Sequence, residues 1–257
     1  MVGIGPGGLD HLSLKATAVL TAVDAVVGYT TYIDLVKPLI GGKQVVSTGM
    51  RQEVARVEAA INLALGGKSC AIVSSGDPGI YAMAGLVFEM CRQKGVRLTP
   101  ANAAPGGAAE ALPVEVVPGI PALCAGAALL GAPLTHDFAA VSLSDLLTPW
   151  EKIERRLDAA AGADFVIVLY NPKSKKRDWQ LARAQEIVLR HRAPDTPVGV
   201  VTSATRDHQR LSVLPLKDLK DAPVDMQTVV FIGNAGTTTS DGFMVTPRGY
   251  TRKYDLG

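Results

Sequence analysis

Short runs of β-branched and other apolar residues alternate along this chain with stretches whose apolar positions recur every three or four residues. That alternation predicts repeated βα units and an α/β fold. In the first half, strands are expected at 2–4, 25–28, 45–46, 70–74 and 114–117. Helices are expected from Ser13, a good N-cap, to 23, then at 51–65 and at 81–94, the last closed by Gly95. Val54, Val57, Ile61 and Leu65 fall on one stripe of the 51–65 helix. The second half repeats the theme, with helices at 122–130, 150–161 and 179–192 and strands at 141–143, 165–170, 198–201 and 228–232. Glu151 and Arg155 form an i, i+4 pair on one of these helices. The Ala/Pro/Gly-rich stretch 97–113 reads as a surface excursion. The two halves, 1–120 and 121–257, are taken as two α/β domains.

Composition narrows the class. With 257 residues, 47% hydrophobic, 19% charged and a formal net charge of +2, the chain is neither disordered nor a dedicated nucleic-acid binder. The best membrane candidate, 121–134, is short and interrupted by Gly126, Gly131 and Pro133. No secretory signal pattern opens the chain, so a cytoplasmic protein is expected. Cys70, Cys91 and Cys124 sit in apolar surroundings outside any Cys-x-x-Cys pair, and are expected to be buried, reduced thiols with no metal. The 26 glycines and 16 prolines imply many tight loops.

Three glycine loops follow expected strands. The first, Gly3-Ile4-Gly5-Pro6-Gly7-Gly8, matches the dinucleotide-binding pattern Gly-x-Gly-x-x-Gly. Three features oppose an NAD(P)-dependent oxidoreductase. The helix begins only near Ser13, Pro6 removes a donor from the would-be phosphate cradle, and the strand at 25–28 ends without an acidic residue for a ribose. The second loop, Ser74-Ser75-Gly76-Asp77-Pro78-Gly79-Ile80-Tyr81, places a carboxylate and two glycines at the end of a buried strand, where open α/β sheets bind ligands. The third is Val117-Pro118-Gly119-Ile120-Pro121-Ala122.

In this order the three loops resemble the tetrapyrrole methylases, S-adenosylmethionine-dependent enzymes of corrin and sirohaem synthesis. The likeness covers essentially the whole chain. His136-Asp137-Phe138, the segment from Ser142 to Trp150, Tyr170-Asn171-Pro172, Gly233-Asn234-Ala235 and the segment from Val245 to Tyr250 narrow it to members that methylate carbon 17 of precorrin-3B and contract the ring to precorrin-4. Members acting on cobalt-factor III, or on another ring carbon, are alternatives. The resemblance implies two αβα domains with S-adenosylmethionine in the cleft between them, and a homodimer without nucleic-acid or membrane partners. It implies cofactor contacts at Pro6, Ser75, Gly76, Asp77, Ile80, Pro121, Ala122, Asn171, Ala204, Gly233 and Asn234. Pro121 departs from the hydroxyl residue of many relatives, and Asn171 from a methionine.

Methyl transfer from a sulfonium requires mainly alignment, whereas ring contraction requires a general base and acid. Asp145, Ser144 and His136 are the candidates for that proton chemistry, with Ser142 and Ser144 two apart and therefore on one face. The substrate carries many carboxylates. Gly5 and Gly7 are expected to face it, and Lys176 and Arg177 of the basic run 173–177, with Arg206, are expected to attract it.

Overall fold

Parallel strands buried on both faces need apolar residues at successive positions, and the first half supplies them. The computed structural model describes residues 1–102, 111–174, 177–250 and 253–255. The chain forms two units, 1–122 and 123–257. Unit one runs β1 (Val2–Gly3), α1 (Leu14–Ala22), β2 (Ala25–Tyr29), α2 (Thr30–Val36), β3 (Gln44–Thr48), α3 (Glu53–Leu65), β4 (Cys70–Ser74), α4 (Ala84–Gln93), β5 (Leu98–Pro100) and β6 (Leu112–Val114). The parallel sheet has the order β1-β4-β2-β3. Successive residues point to opposite faces. Val26, Ala71 and Val73 pack with Ala16 and Leu20 of α1 and Ile33 and Val36 of α2. Val27 and Ile72 pack with Val57, Ala60 and Ile61 of α3 and Val87, Met90 and Cys91 of α4. This is an αβα sandwich.

Local chemistry explains the boundaries. Ser13 caps α1 by accepting the amide of Ala16 at 3.1 Å. Gly95 ends α4 with φ +68°, and the bonds Val96 N–H to Cys91 O and Gly95 N–H to Arg92 O complete a Schellman motif. The helix begins at Ala84 rather than 81, because Tyr81 is in the left-handed region at φ +50°. The stripe on α3 is rotated from its expected position, leaving Val54 and Leu65 exposed and Arg56 and Ala60 inside. Arg56 turns that face inward because its guanidinium donates to Thr48 Oγ1 at 2.7 Å and to Gly49 O at 3.0 Å. The strand expected at 114–117 is displaced to β6, which pairs in parallel with β5 inside the supposed surface excursion; 103–110 of that excursion lie outside the described residues. Val117 makes a single parallel bridge to Val2.

Unit two contains α5 (Ala122–Leu130, its first residue in unit one), β7 (Gly131–Ala132), β8 (Phe138–Ser142), α6 (Trp150–Gly162), β9 (Val166–Tyr170), α7 (Gln180–Val188), β10 (Pro197–Thr202), β11 (Arg210–Pro215), β12 (Thr228–Ile232), β13 (Thr238–Ser240) and β14 (Phe243–Val245). Its main sheet has the order β11-β10-β12-β9-β8, with only the β8–β9 pair parallel. One face packs on α6, α7 and a 3-10 helix at Leu216–Asp221, through residues such as Ile153, Leu157, Ile187, Leu216 and Val230. The other face receives α5 closely. A Cβ on Gly126 would stand 2.7 Å from the Phe231 ring, and one on Gly199 2.4 Å from Leu130. A small sheet, β13-β14-β7, completes the unit. Among the described residues no helix is long and apolar enough to cross a membrane, and no metal-ligating cluster occurs. Cys91 is buried and Cys70 half-buried, but Cys124 is exposed, which corrects the expectation of three buried thiols.

Candidate active site

In unit one the three glycine loops meet at the carboxyl ends of β1 and β4. Gly5 and Gly76 exchange backbone bonds, Gly76 N–H to Gly5 O at 2.7 Å and Gly5 N–H to Gly76 O at 3.2 Å. Gly3 N–H donates to Val117 O at 2.9 Å. The backbones then touch with no room for side chains. A Cβ on Gly3 would lie 2.6 Å from Gly119 N, and one on Gly119 2.2 Å from Gly76 O. Gly5 and Gly76 occupy left-handed φ of +68° and +67°, which glycine alone adopts without strain. Asp77 pins the junction: Oδ1 accepts from Gly79 N–H at 2.7 Å and Oδ2 from Gly119 N–H at 3.1 Å. Pro121 and Ala122 run past Gly76, with the Pro121 Cα 3.4 Å from where a Cβ on Gly76 would be. Gly5, Pro6 and Gly7 are buried, Ser75, Asp77 and Ile80 half-buried. Beside the junction an open groove of about 340 Å³ is lined by Asp10, His11, Ser13 and Pro118 to Ile120.

In unit two the strand directions gather a second set at one end of the sheet. The carboxyl ends of β8, β9 and β10 lie there together with the start of β12, since Ser142 pairs with Tyr170 and Thr202 with Thr228. This end carries Ser144 and Asp145, Asn171, Ala204 and Arg206. Ser142 Oγ accepts from Asn171 Nδ2 at 2.9 Å and from Ser144 N–H at 3.2 Å. Asp145 Oδ2 accepts from Gln180 Nε2 at 3.0 Å. Asn171, Ser203 and Thr205 all hold left-handed φ, at 53°, 52° and 61°. Such backbone costs roughly 1–3 kcal/mol per residue and gathers at functional loops. An open groove of about 610 Å³ at this end includes Lys173, Thr202, Ser203, Arg210 and Asp225 in its lining.

A nucleoside sulfonium needs close backbone approach and hydrogen-bonding groups to receive it, and both are present. The Gly3–Gly76–Gly119 junction lets main chain rather than side chain form the surface. Among the described residues, three buried side-chain polar atoms lack a partner: Ser74 Oγ, Gln180 Oε1 and Thr205 Oγ1. Ser74 ends β4 and Thr205 follows β10, whereas Gln180 opens α7 beside Asp145. Native proteins leave few such atoms unpaired, so Ser74 and Thr205 fit ligand-binding segments.

The expectations for Arg177, His136, Gly233 and Asn234 need correction. Arg177 is 6% exposed, and its guanidinium donates to Leu143 O at 3.0 Å and Asn171 O at 3.1 Å. It ties the β8 and β9 loops together rather than offering a free cation. His136 precedes β8 and is exposed, with Nδ1 accepting from Asp137 N–H at 2.8 Å. Asp145 follows the same strand, and a five-residue strand spans about 17 Å, so the two cannot act on one atom. Gly233 and Asn234 follow β12, and Ile232 pairs with Ile167 and Val198 near the starts of β9 and β10. They stand at the opposite sheet end from Asn171 and Ala204. There Asn234 closes a turn, taking the Gly236 amide on its Oδ1 at 3.0 Å. Lys176 lies outside the described residues. Sequence reasoning missed Gln180. Its signal was a polar residue in register with the inward positions Ala184, Ile187 and Val188 of α7.

Residues 1–220 match the model of the tetrapyrrole (corrin/porphyrin) methylases. The chain is 47% identical over 251 residues to the probable cobalt-factor III C(17)-methyltransferase of Salmonella typhimurium, covering 98% of both. It is 45% identical over 256 residues to the cobalt-factor III methyltransferase of Priestia megaterium, covering all of this chain but 46% of that protein. The chain thus spans about half the length of that relative. The crystal structure of the methyltransferase CobJ superposes with a TM-score of 0.83 at 37% identity, over 96% of this chain and 98% of that one. Motif order, fold and these likenesses agree: the chain belongs to the tetrapyrrole methylases, a family of S-adenosylmethionine-dependent C-methyltransferases.

Proposed function

We propose that this protein methylates carbon 17 of a tetrapyrrole at the ring-contraction stage of cobalamin biosynthesis. The carrying observation is the locked junction of Gly3, Gly76 and Gly119, with unpartnered Ser74 Oγ beside it. S-adenosylmethionine, when bound, supplies an electrophilic methyl group. The loop from Ser75 to Ile80, Pro121 and Ala122, with Pro6 in the adjoining loop, would hold it, and Asn171 and Ala204 would meet its adenosyl part. The chain's own contribution to transfer is alignment on stiff loops. With precorrin-3B as substrate, Asp145 is the base that takes the proton of the bridging-carbon hydroxyl during contraction; that oxygen becomes a carbonyl as the ring carbon migrates, and the lactone carbon–oxygen bond opens to a carboxylate. Ser144, beside it, orients that hydroxyl. Lys173 and Arg206 attract the substrate's carboxylates.

The relatives named for cobalt-factor III, at 45% and 47% identity, favour the cobalt-containing substrate. The motif set of the second half favours precorrin-3B as a second reading. The reading extends to a homodimer in the cytoplasm, the former testable by sedimentation. Incubation with S-adenosylmethionine and each tetrapyrrole in turn, followed by mass and absorption spectra, tests the assignment. Gain of one methyl group with the spectrum of a contracted ring is expected from one substrate. No methyl gain with either refutes it.

A further inference from the structure

Gln180 is the first residue of α7 and only 1% exposed. Its Nε2 donates to Asp145 Oδ2 at 3.0 Å, while its Oε1, equally buried, has no partner. The surrounding structure holds it in place. Leu181, Ala184, Ile187 and Val188 bury the inward face of α7. Trp179, just before it, packs edge-on against Trp150 at 4.7 Å, and Arg183 donates to Glu154 of α6 at 2.6 Å. The head of α7 is therefore fixed on α6, and Asp145 meets an amide that cannot swing away.

We propose that Gln180 is the positioning residue of the acid–base step, holding Asp145 in both of its protonation states. The proposal rests on the reading of Asp145 given above. An amide is an uncharged group that can donate to a carboxylate through nitrogen or accept from a carboxylic acid through oxygen. With Asp145 ionised, Nε2 donates and Oε1 stays unpaired, which is the arrangement observed. When the substrate hydroxyl gives up its proton, the O–H bond breaks with its electron pair left on the substrate oxygen, and Asp145 becomes a carboxylic acid. A half-turn of the amide then presents Oε1 to the new O–H. No bond to Gln180 forms or breaks, and the proton later leaves Asp145 for solvent. A purely architectural amide would have both ends paired; here the acceptor is left open for the second state.

The charged groups on the segments flanking Asp145 are Arg177 and Asp178 ahead of α7, Arg183 and Glu186 within it, and Glu151, Lys152, Glu154, Arg155, Arg156 and Asp158 of α6. Variants at 180 leave all of these in place. The test uses the full chain with Gln180→Glu, Gln180→Leu and Asp145→Asn. Methyl addition is read by mass, contraction by absorption across pH, and S-adenosylhomocysteine affinity by calorimetry. The ionisation of Asp145 is read by carboxyl ¹³C NMR without ligand. Two carboxylates sharing a site resist joint ionisation, so Gln180→Glu should move the acid limb of the contraction profile upward. Gln180→Leu should slow contraction at least tenfold, with methylation KM and homocysteine-cofactor affinity unchanged. If Asp145→Asn loses contraction but the Gln180→Glu profile and titration overlay the wild type, the role of Gln180 is overturned. A Gln180→Leu protein in which cofactor affinity and contraction fall together also overturns it. If Asp145→Asn itself contracts the ring normally, the underlying reading of Asp145 falls first.

Discussion

Replacing Gly119 by alanine tests whether the three glycine loops form one rigid junction. The added methyl would stand 2.2 Å from Gly76 O and 2.8 Å from Gly3 C. The first separation is about 1 Å inside the usual carbon–oxygen approach of about 3.3 Å. Both neighbours are backbone, so no side chain can swing aside. Gly76 O already accepts from Gly5 N–H, so withdrawing it loosens the exchange between those two loops. Gly119 does not hold left-handed φ, so steric overlap acts alone. Overpacking of this kind with one weakened backbone bond costs about 2–4 kcal/mol. Gly85 of α4 is the control, because a methyl there meets nothing within 4 Å. Gly85→Ala should gain up to about 1 kcal/mol from helix propensity. Urea midpoints at constant m-value, with calorimetry of S-adenosylhomocysteine, read both effects. Gly119→Ala should lower the midpoint and weaken cofactor affinity at least tenfold, while Gly85→Ala leaves affinity unchanged. Wild-type stability together with wild-type affinity in Gly119→Ala would refute the rigid junction.

Three further outcomes are expected. Gly199→Ala would set a methyl 2.4 Å from Leu130 and should destabilise unit two by about 1–3 kcal/mol, measured by denaturant unfolding; no loss would mean that α5 packs more loosely than described. Arg177→Met should cost about 1.5–3 kcal/mol by stripping the carbonyls of Leu143 and Asn171 of a charged donor, without altering the salt dependence of substrate affinity. A flattened salt dependence would restore Arg177 as a substrate cation. Asp24 is held below the usual carboxylate range by the hydroxyl and amide of Ser69, with Lys43 and Lys68 nearby. Because its folded pKa is depressed, its contribution is present above about pH 4 and is lost as pH falls through the lowered value. Asp24→Asn should therefore lose stability less steeply on acidification than wild type, and equal slopes would count against this linkage.

The central elements were legible because their signals are local. The strands Cys70–Ser74 and Thr228–Ile232 are unbroken apolar runs, and Ser13 and Gly95 mark helix ends by their own chemistry. What was hidden depends on partners distant in sequence. Val117 looks like a strand residue but, among the described residues, makes only a single bridge to Val2, through Gly3 N–H to Val117 O and Val117 N–H to Met1 O. Arg56 and Arg177 look like solvated charges, yet Arg56 finds the Thr48 hydroxyl and the Gly49 carbonyl and Arg177 two carbonyls inside, which rotates a helix stripe in one case and ties two loops in the other. Gly233 and Asn234 looked equivalent to other loop residues until the antiparallel direction of β12 placed them at the far end of the sheet. Strand direction is not written in a five-residue apolar run.

The two units stiffen their loops by different means, and the difference follows from what each loop must do. In unit one the contacts run backbone to backbone through Gly3, Gly76 and Gly119, and the Asp77 side chain spends both oxygens on amides. Such a junction suits the holding of a ligand by shape. In unit two the loops are strung by side chains: Arg177 on two carbonyls, Asn171 on Ser142, Gln180 on Asp145. Of these, the Gln180–Asp145 contact can change partners when a proton arrives, and backbone contacts cannot. Methyl transfer gains from the first kind of rigidity, and proton transfer requires the second. A chain that does both would therefore be damaged in separable ways: glycine substitutions in unit one should weaken ligand affinity first, and amide or carboxylate substitutions in unit two should slow contraction at unchanged affinity. Variants from both sets that lose binding and contraction in fixed proportion would contradict this division.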